Sequence, residues 1–330
     1  MSALAPTLEA YFTERLIGQR QASANTVAAY RDTWRLLLRF VLARTGKQPS
    51  QLDMADLDAS LVASFLDHLE QERHNSARTR NARLAAIRSF FRYASLRHPE
   101  HAGLIARVLD IPAKRCERKD VTYLDGGEVE ALLAAPDSNT WCGRRDRTLL
   151  HVAVQTGLRV SELTGLRNGD VELVAGAHVR CRGKGRKERS TPLDKQTVRT
   201  LRAWMQERAG APEDPLFPTS RGSRLTRRAV SCLVARHANT AAQDCQSMRA
   251  KHPTPHTLRH TCAMELLRSG VDSAVIALWL GHEQVETTTR TYIHADLSIK
   301  ERALARTRPP NAKPGRYRPP DRLLVFLDNL

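Results

Sequence analysis

The chain has 330 residues, of which 52 are lysine or arginine and 35 are aspartate or glutamate, so its formal net charge is +17. Hydrophobic residues make up 41% of the chain, which excludes a disordered protein and is enough for two or three packed domains. The positive charge favours a polyanionic partner over a small-molecule substrate. No apolar run approaches the roughly 18 residues of a membrane helix, so we expect no membrane partner. The six cysteines form no C-x-x-C pair, so we expect reduced thiols in a cytoplasmic protein.

The first 110 residues are predicted to form an all-helical domain, because four stretches carry apolar side chains at helical spacing. These stretches are residues 8–16, 25–41, 58–69 and 76–96. The last stretch also carries several arginines, and we select Arg80, Arg83 and Arg88 as candidate contacts for the polyanion. A solvated helix face would explain these arginines equally well, since charged runs usually face water.

Residues 111–121 are predicted to be a linker, because they hold a proline and four basic side chains without apolar periodicity. Beyond the linker, helical patterns surround one group of short strands. The predicted strands are 171–174, 178–181 and 189–192, and the predicted helices are 127–135, 144–155, 195–208, 226–241, 257–269, 273–280 and 298–305. Residues 309–330 form a basic, proline-rich tail with an apolar end, which could dock on its own domain or on a neighbouring subunit.

Four short segments carry the polar residues that suggest chemistry. They are 156–163 with Arg159 and Glu162, 182–189 with Lys184, Arg186 and Lys187, 256–260 with His256 and Arg259, and 280–294 with His282 and Tyr292. Each segment alone has a simpler explanation, such as a surface ion pair for Arg159 and Glu162 or a solubilising basic turn around Lys184. Their order and combination carry more information than any one of them.

The residue types in these segments suit a phosphate group. His256 and Arg259 lie three residues apart, so in a helix they share one face. A guanidinium supplies forked donors, and an imidazole supplies a donor near neutral pH. Lys184 stands between two glycines at the predicted tip of a hairpin, where glycine allows close approach to a ligand.

In this order, the segments TGLRVSEL, RGKGRKERSTPL, HTLRH and LGHEQVETTTRTYIH resemble those of the tyrosine recombinase, or phage integrase, family and its Xer-type members. The resemblance covers nearly the whole chain, because the helical first third and the basic linker also look like that family's N-terminal part. It implies a mainly α protein with the DNA breaking-rejoining fold. An all-α, SAM-like core-binding domain would span 1–110, and a mixed α/β catalytic domain with a small antiparallel sheet would span 122–308. The tail would be a subunit-exchange segment.

The resemblance also implies a reaction, in which duplex DNA is cut and rejoined at specific sites through a 3′-phosphotyrosyl intermediate. Tyr292 would attack the phosphodiester, and Lys184 would protonate the leaving 5′-oxygen. Arg159 and Arg259 would clamp the non-bridging oxygens of the phosphate. His256 would bind the phosphate or assist proton transfer from Tyr292, and His282 would bind the phosphate. The remaining implied roles are a positioning role for Glu162 and contacts with the DNA backbone by Arg80, Arg83, Arg88, Arg186 and Lys187.

The implied partner is double-stranded DNA of the nucleoid, bound by a homotetramer or by a hetero-oligomer with related recombinases. No cofactor and no metal are implied, because two guanidinium groups supply the positive charge. A mobile element is the expected source. The sequence leaves open a Xer-type chromosome-dimer resolvase, a type IB-like topoisomerase and a non-catalytic DNA-binding accessory protein. The accessory role is disfavoured, since a protein that only binds DNA has no use for an exposed tyrosine.

Overall fold

The computed structural model describes residues 4–116, 121–183, 188–282, 284 and 288. Contacts between Cα atoms divide the chain into two compact units, Met1–Lys119 and Asp120–Leu330, and the division falls within the predicted linker. The fold is mainly helical with a small antiparallel sheet, as predicted. Within the described residues, no helix is long and apolar enough to cross a membrane. The predicted helix 298–305 and the tail 309–330 lie outside the described residues.

The described part of the first unit contains five α-helices and one π-helical segment. They are α1 (Leu4–Ala10), the π-helical segment (Tyr11–Gln19), α2 (Ala24–Thr45), α3 (Ala59–Gln71), α4 (Ala77–Ala94) and α5 (Ala102–Asp110). Ser23, Asp58 and Ser76 begin α2, α3 and α4, because each side chain accepts a hydrogen bond from a backbone N–H of the first turn. Helix α5 was not predicted, since its nine residues bury only Ile105 and Val108 and give a short apolar stripe.

The three arginines of α4 that we selected as polyanion contacts bond to the protein's own backbone. Arg80 is only 5% exposed and donates from Nη1 to the carbonyl oxygen of Pro112 at 2.8 Å. Arg88 donates to the carbonyl one residue earlier, and Arg83 donates to the carbonyl of Ala29 in α2 at 3.0 Å. These bonds fasten α4 to α2 and to the chain that follows α5. Arg80 is buried by these contacts, and the polyanion contacts of Arg80, Arg83 and Arg88 stay predictions.

The second unit packs helices around a three-stranded antiparallel sheet of order β1-β2-β3. Its elements are α6 (Gly126–Ala134), α7 (Trp141–Thr156), α8 (Val160–Gly165), β1 (Val171–Glu172), β2 (His178–Arg182), β3 (Glu188–Pro192), α9 (Lys195–Arg208), α10 (Arg227–Asp244), α11 (Pro255–Arg268) and α12 (Ser273–Leu280). Strands β2 and β3 pair with Cys181 opposite Arg189 and Arg182 opposite Glu188. This register places the predicted basic segment at the β2–β3 connection.

Helix α7 contributes much of the second unit's core, with Leu149, Leu150, Val152 and Ala153 each less than 5% exposed. It packs against α6, α9 and α11. Gly157 ends α7 in the left-handed conformation, with φ of 61°, as glycine readily does. The chain therefore turns sharply at Gly157, two residues before Arg159.

Helix α11, which carries two of the predicted site residues, is fastened to the chain just after the linker. The N–H of Leu124 donates to Oγ1 of Thr261 in α11 at 3.0 Å. Arg268 at the end of α11 donates to the phenolic oxygen of Tyr123 at 2.8 Å, and its guanidinium lies 4.9 Å from the centre of that ring. The hydroxyl of Tyr123 is therefore used in a hydrogen bond, and the two contacts hold α11 at Thr261 and at its last residue, Arg268.

Candidate active site

Arg259 joins the ends of two helices to α11. It is 2% exposed, and it donates from Nη1 to the carbonyl oxygen of Gly157 and from Nη2 to that of Leu280, both at 2.7 Å. Gly157 caps α7 and Leu280 is the last residue of α12. Carbonyls at helix ends lack partners within their own helix. The planar fork of one guanidinium satisfies two of them at once.

Arg159 binds the next carbonyl of the same turn. It donates from Nη2 to the carbonyl oxygen of Gly281 at 2.9 Å and from Nη1 to Oε1 of Glu162 at 2.9 Å. Its side chain is 35% exposed, in contrast to the buried Arg259. The two arginines thus donate to consecutive carbonyls, those of Leu280 and Gly281, and concentrate positive charge directly before His282.

Three histidines lie around these guanidinium groups. The rings of His256 and His260 meet edge to face with centroids 4.2 Å apart, and Nδ1 of His282 lies at hydrogen-bond distance, 2.7 Å, from Oγ1 of Thr288. Burial, together with the charges of Arg259 and Arg159, lowers the pKa of His282 to about 4. The same causes lower the pKa of His256 below its ordinary value.

Both imidazoles are therefore neutral at pH 7 in the free protein. An entering phosphate would raise their pKa values, because an opposite charge favours the protonated form. Two guanidinium groups and two such imidazoles can bind an anionic phosphate and stabilise added charge on it.

Glu162 is a buried carboxylate that two arginines share. It accepts from the backbone N–H of Arg159 at 2.8 Å and from its guanidinium, and it also accepts from Nη1 and Nη2 of Arg189 at 3.0 and 2.8 Å. Burial opposes ionisation of Glu162, but the hydrogen bonds from Arg189 and Arg159 outweigh it and hold the pKa of this carboxyl below its ordinary value. Glu162 is ionised and links α8 to β3.

Arg189 is the residue of this site that the sequence analysis missed. Its place at the start of the predicted strand 189–192 does not mark it as a site residue. No sequence signal marked it, because side chains two apart on a strand share a face, but a threonine at position 191 does not identify that face as buried. Arg189 shares its face with Thr191, which is fully buried. An arginine at such an inward position needs a buried acceptor, although the sequence does not identify Glu162 as that acceptor.

Gly157 allows α7 and α12 to approach closely at the site. A Cβ added at Gly157 would lie 2.6 Å from Cδ2 of Leu280 and 3.1 Å from Sγ of Cys262, in a position with positive φ. We expect Gly157→Ala to lower the free energy of unfolding by about 1–3 kcal/mol, through the left-handed backbone and overpacking. Urea unfolding measures this loss. Gly176→Ala is the control, because it shares a positive φ but has no atom within 4 Å, so a loss as large as that of Gly157→Ala would contradict the packing argument.

Four predicted site residues lie outside the described residues. They are Lys184, Arg186 and Lys187 in the β2–β3 connection and Tyr292 after α12. The pairing of Arg182 with Glu188 brackets the first three of them. Their roles as general acid, DNA contacts and nucleophile stay predictions. The structure brings together Arg159, Glu162, His256, Arg259 and His282 in one region of the second unit.

Two family models match the chain. The model described as "Phage integrase family" matches residues 122–298, and the model described as "Phage integrase, N-terminal SAM-like domain" matches residues 10–98. Together they cover most of the chain. The first match begins just after the predicted linker and includes every described residue of the candidate site.

Individual proteins give the same picture. The chain is 52% identical over 329 residues to the putative integrase/recombinase y4rC of Sinorhizobium fredii. This match covers 100% of this chain and 99% of y4rC. It is 37% identical over 287 residues to the tyrosine recombinase XerC of Pelobacter propionicus, and this match covers 87% of this chain and 90% of XerC. The crystal structure of the XerH site-specific recombinase bound to difH substrate, a pre-cleavage complex, matches with a TM-score of 0.64 and 25% identity over 89% of this chain and 83% of that one.

Proposed function

This chain belongs to the phage integrase family of tyrosine recombinases, and we propose that it cuts and rejoins duplex DNA at specific sites through a 3′-phosphotyrosyl intermediate. The family catalyses DNA cleavage and rejoining. One observation carries the proposal for this member. Arg159 and Arg259 donate to consecutive carbonyls beside His282, so residues from three separate segments converge on one turn. Converging positive charge of this kind supports the proposal, because it would stabilise the negative charge of a scissile phosphate.

In the proposed reaction, the phenolic oxygen of Tyr292 attacks phosphorus and the bond to the 5′-oxygen breaks. Lys184 gives a proton to that oxygen, which leaves as a 5′-hydroxyl, while the tyrosine proton passes to His256 or to water. Arg159, Arg259 and His282 offset the negative charge of the five-coordinate transition state. A 5′-hydroxyl of the partner strand then reverses the step, so the phosphodiester energy is conserved.

The proposed partner is double-stranded DNA in the cytoplasmic nucleoid. Two facts support it, namely the net charge of +17 and the similarity to a recombinase, XerH, whose structure is a complex with its DNA substrate. Phosphate contacts would dominate affinity, and binding would weaken steeply with salt. Strand exchange between two duplexes needs four cleavages, so we expect four subunits on the DNA, either of this chain alone or together with related recombinases.

We infer that the biological substrate is the end of a mobile element. The chain is 52% identical to a putative integrase/recombinase along its whole length and 37% identical to a XerC recombinase. The XerC similarity keeps chromosome-dimer resolution as the second candidate. The two roles differ in the DNA that is cut, so substrate choice distinguishes them.

Trapping a covalent complex tests the proposed function. The full-length chain is mixed with labelled duplexes that carry either element ends or the chromosomal resolution site, each with a nick that lets the freed strand diffuse away. We expect an SDS-resistant adduct on one duplex class, because religation is then blocked. Adduct on element ends supports the mobile-element role, and adduct on the chromosomal site supports the resolvase. Binding without adduct on every duplex would contradict an enzymatic role.

The proton donor can be tested with a modified leaving group. Lys184→Ala should slow cleavage of normal DNA by roughly 10²–10⁴-fold, the usual contribution of general acid catalysis. A 5′-bridging sulfur leaves without a proton, so this substrate should largely restore cleavage by Lys184→Ala. Single-turnover rates on the two substrates measure the effect.

Arg186→Ala and Lys187→Ala are the matched controls for Lys184→Ala. Each should weaken binding and reduce its salt dependence by about one phosphate contact. Rescue of either control by the sulfur substrate would make that residue the proton donor and contradict the role of Lys184.

A further inference from the structure

We propose that Arg189 is a positioning residue of the active site, which neutralises and orients Glu162 so that the guanidinium of Arg159 stays available to the scissile phosphate. The inference rests on the proposed recombinase function. Arg189 lies in β3, 27 residues after Glu162, and neither composition nor motif spacing marks the pair.

The hydrogen bonds of Glu162 carry the first step of the argument. Oε1 accepts from Nη1 of Arg159 at 2.9 Å and from Nη1 of Arg189 at 3.0 Å. Oε2 accepts from the backbone N–H of Arg159 and from Nη2 of Arg189, both at 2.8 Å. A carboxylate offers about four acceptor positions, so these four bonds saturate it. The fork of Arg189 fixes the plane of the carboxylate to which Arg159 binds.

Arg189 also lies against Gly281, whose carbonyl oxygen is the second acceptor of Arg159. It donates from Nε to the carbonyl oxygen of Trp279 at 3.1 Å, near the end of α12. A Cβ added at Gly281 would lie 2.7 Å from Nη1 of Arg189, so the guanidinium packs against that glycine. The carbonyl of Gly281 is the other acceptor of Arg159. One side chain therefore supports both groups that orient Arg159.

Charge gives the second step. The cluster of Arg159, Glu162 and Arg189 carries two positive charges and one negative charge, with a net charge of +1. Among the residues that the structure describes, Arg159 would be the remaining ion-pair partner of this buried carboxylate without Arg189, and the pair would be neutral. A guanidinium held by an unshared carboxylate attracts a phosphate less, because the nearby negative charge opposes the phosphate. Arg189 thus keeps the positive charge of Arg159 effective.

The side chains of Arg189 and Arg159 differ in their exposure to solvent. The side chain of Arg189 is 14% exposed, and three of its nitrogens donate to Glu162 and Trp279. The side chain of Arg159 is 35% exposed. Arg159 is thus the more accessible of the two to DNA, whereas Arg189, with three nitrogens engaged by Glu162 and Trp279, acts through Glu162.

A substrate with altered charge distinguishes this role from a merely structural one. Single-turnover cleavage is measured on normal DNA and on DNA with a methylphosphonate at the scissile position, which removes one negative charge. We expect Arg189→Gln to slow cleavage of normal DNA by about 10–100-fold, less than loss of a direct phosphate donor. The loss on methylphosphonate DNA should be at least about threefold smaller, because less charge has to be stabilised. Arg189→Lys, which keeps the charge without the fork, should fall between wild type and Arg189→Gln on normal DNA.

Arg144→Gln is the matched control. Arg144 forms an equivalent two-bond fork with Glu207, at 2.8 and 2.7 Å, between α7 and α9. Arg144 lies 12 residues before Thr156, at the far end of α7, so it is about 18 Å along the helix axis from the site. Arg144→Gln should cleave both substrates at the wild-type rate.

A double variant adds a second criterion. Arg189 acts through the carboxylate of Glu162, so the effects of replacing the two residues should not add. The double variant Glu162→Gln with Arg189→Gln should therefore cleave no more slowly than the slower of the two single variants. Should Arg189→Gln fail to fold in urea titrations, Arg189→Lys is compared with wild type on both substrates. Equal losses on the two substrates, or rates within about twofold of wild type on normal DNA, would overturn the inference. Absence of adduct with wild-type protein would instead refute the proposed function.

Discussion

Replacement of Tyr292 by phenylalanine should abolish covalent attachment to DNA and leave non-covalent binding within about twofold of wild type. The phenyl ring keeps the shape of the side chain but has no oxygen to attack phosphorus, so no phosphotyrosyl bond can form. In the proposed complex many phosphate contacts would hold the DNA, and loss of one hydroxyl would leave them in place. Denaturing gels of labelled, nicked duplex measure the adduct, and gel shifts at one salt concentration measure binding.

Tyr123→Phe is the matched control for this experiment. Its hydroxyl accepts a hydrogen bond from Arg268 at 2.8 Å, away from the converging arginines, so its loss removes a phenol without removing the nucleophile. The control should form adduct at the wild-type level. An SDS-resistant adduct with Tyr292→Phe would mean that another residue is the nucleophile.

Replacement of Arg159 or Arg259, the two arginines proposed to clamp the phosphate, should slow cleavage by roughly 10²–10³-fold, the effect of losing one donor to a developing anion. The two variants should differ in stability. Arg259→Ala leaves the buried carbonyls of Gly157 and Leu280 without their donor and should cost about 2–5 kcal/mol of unfolding free energy. Arg159 is partly exposed, and its partner Glu162 keeps Arg189, so Arg159→Ala should cost about 1 kcal/mol or less.

Two measurements on each variant separate these effects. Single-turnover cleavage on nicked duplex gives the catalytic loss, and urea unfolding in the absence of DNA gives the stability loss. A cleavage rate within a few-fold of wild type would remove that arginine from the active site. Equal stability losses for Arg159→Ala and Arg259→Ala would contradict the contrast in burial on which the argument depends.

The sequence by itself determined the features that depend on local spacing. Apolar periodicity predicted α2, α3, α4 and α7, because this signal arises within a few residues along one helix. The glycine-bearing basic segment predicted the β2–β3 connection. The ordered motifs around Arg159, His256, Arg259 and His282 indicated the family, which the comparisons confirm.

Only the tertiary structure decided how the charged side chains are used. Arg80 has the same local context as a solvated arginine, yet it is buried against Pro112, 32 residues away. Arg189 stands in a short strand, and its partner Glu162 lies 27 residues earlier, in α8. A buried guanidinium is stable only with acceptors around it, and long-range packing supplies those acceptors. No periodicity in the chain encodes which distant carbonyl or carboxylate will meet a given arginine, so these assignments had to await the folded structure.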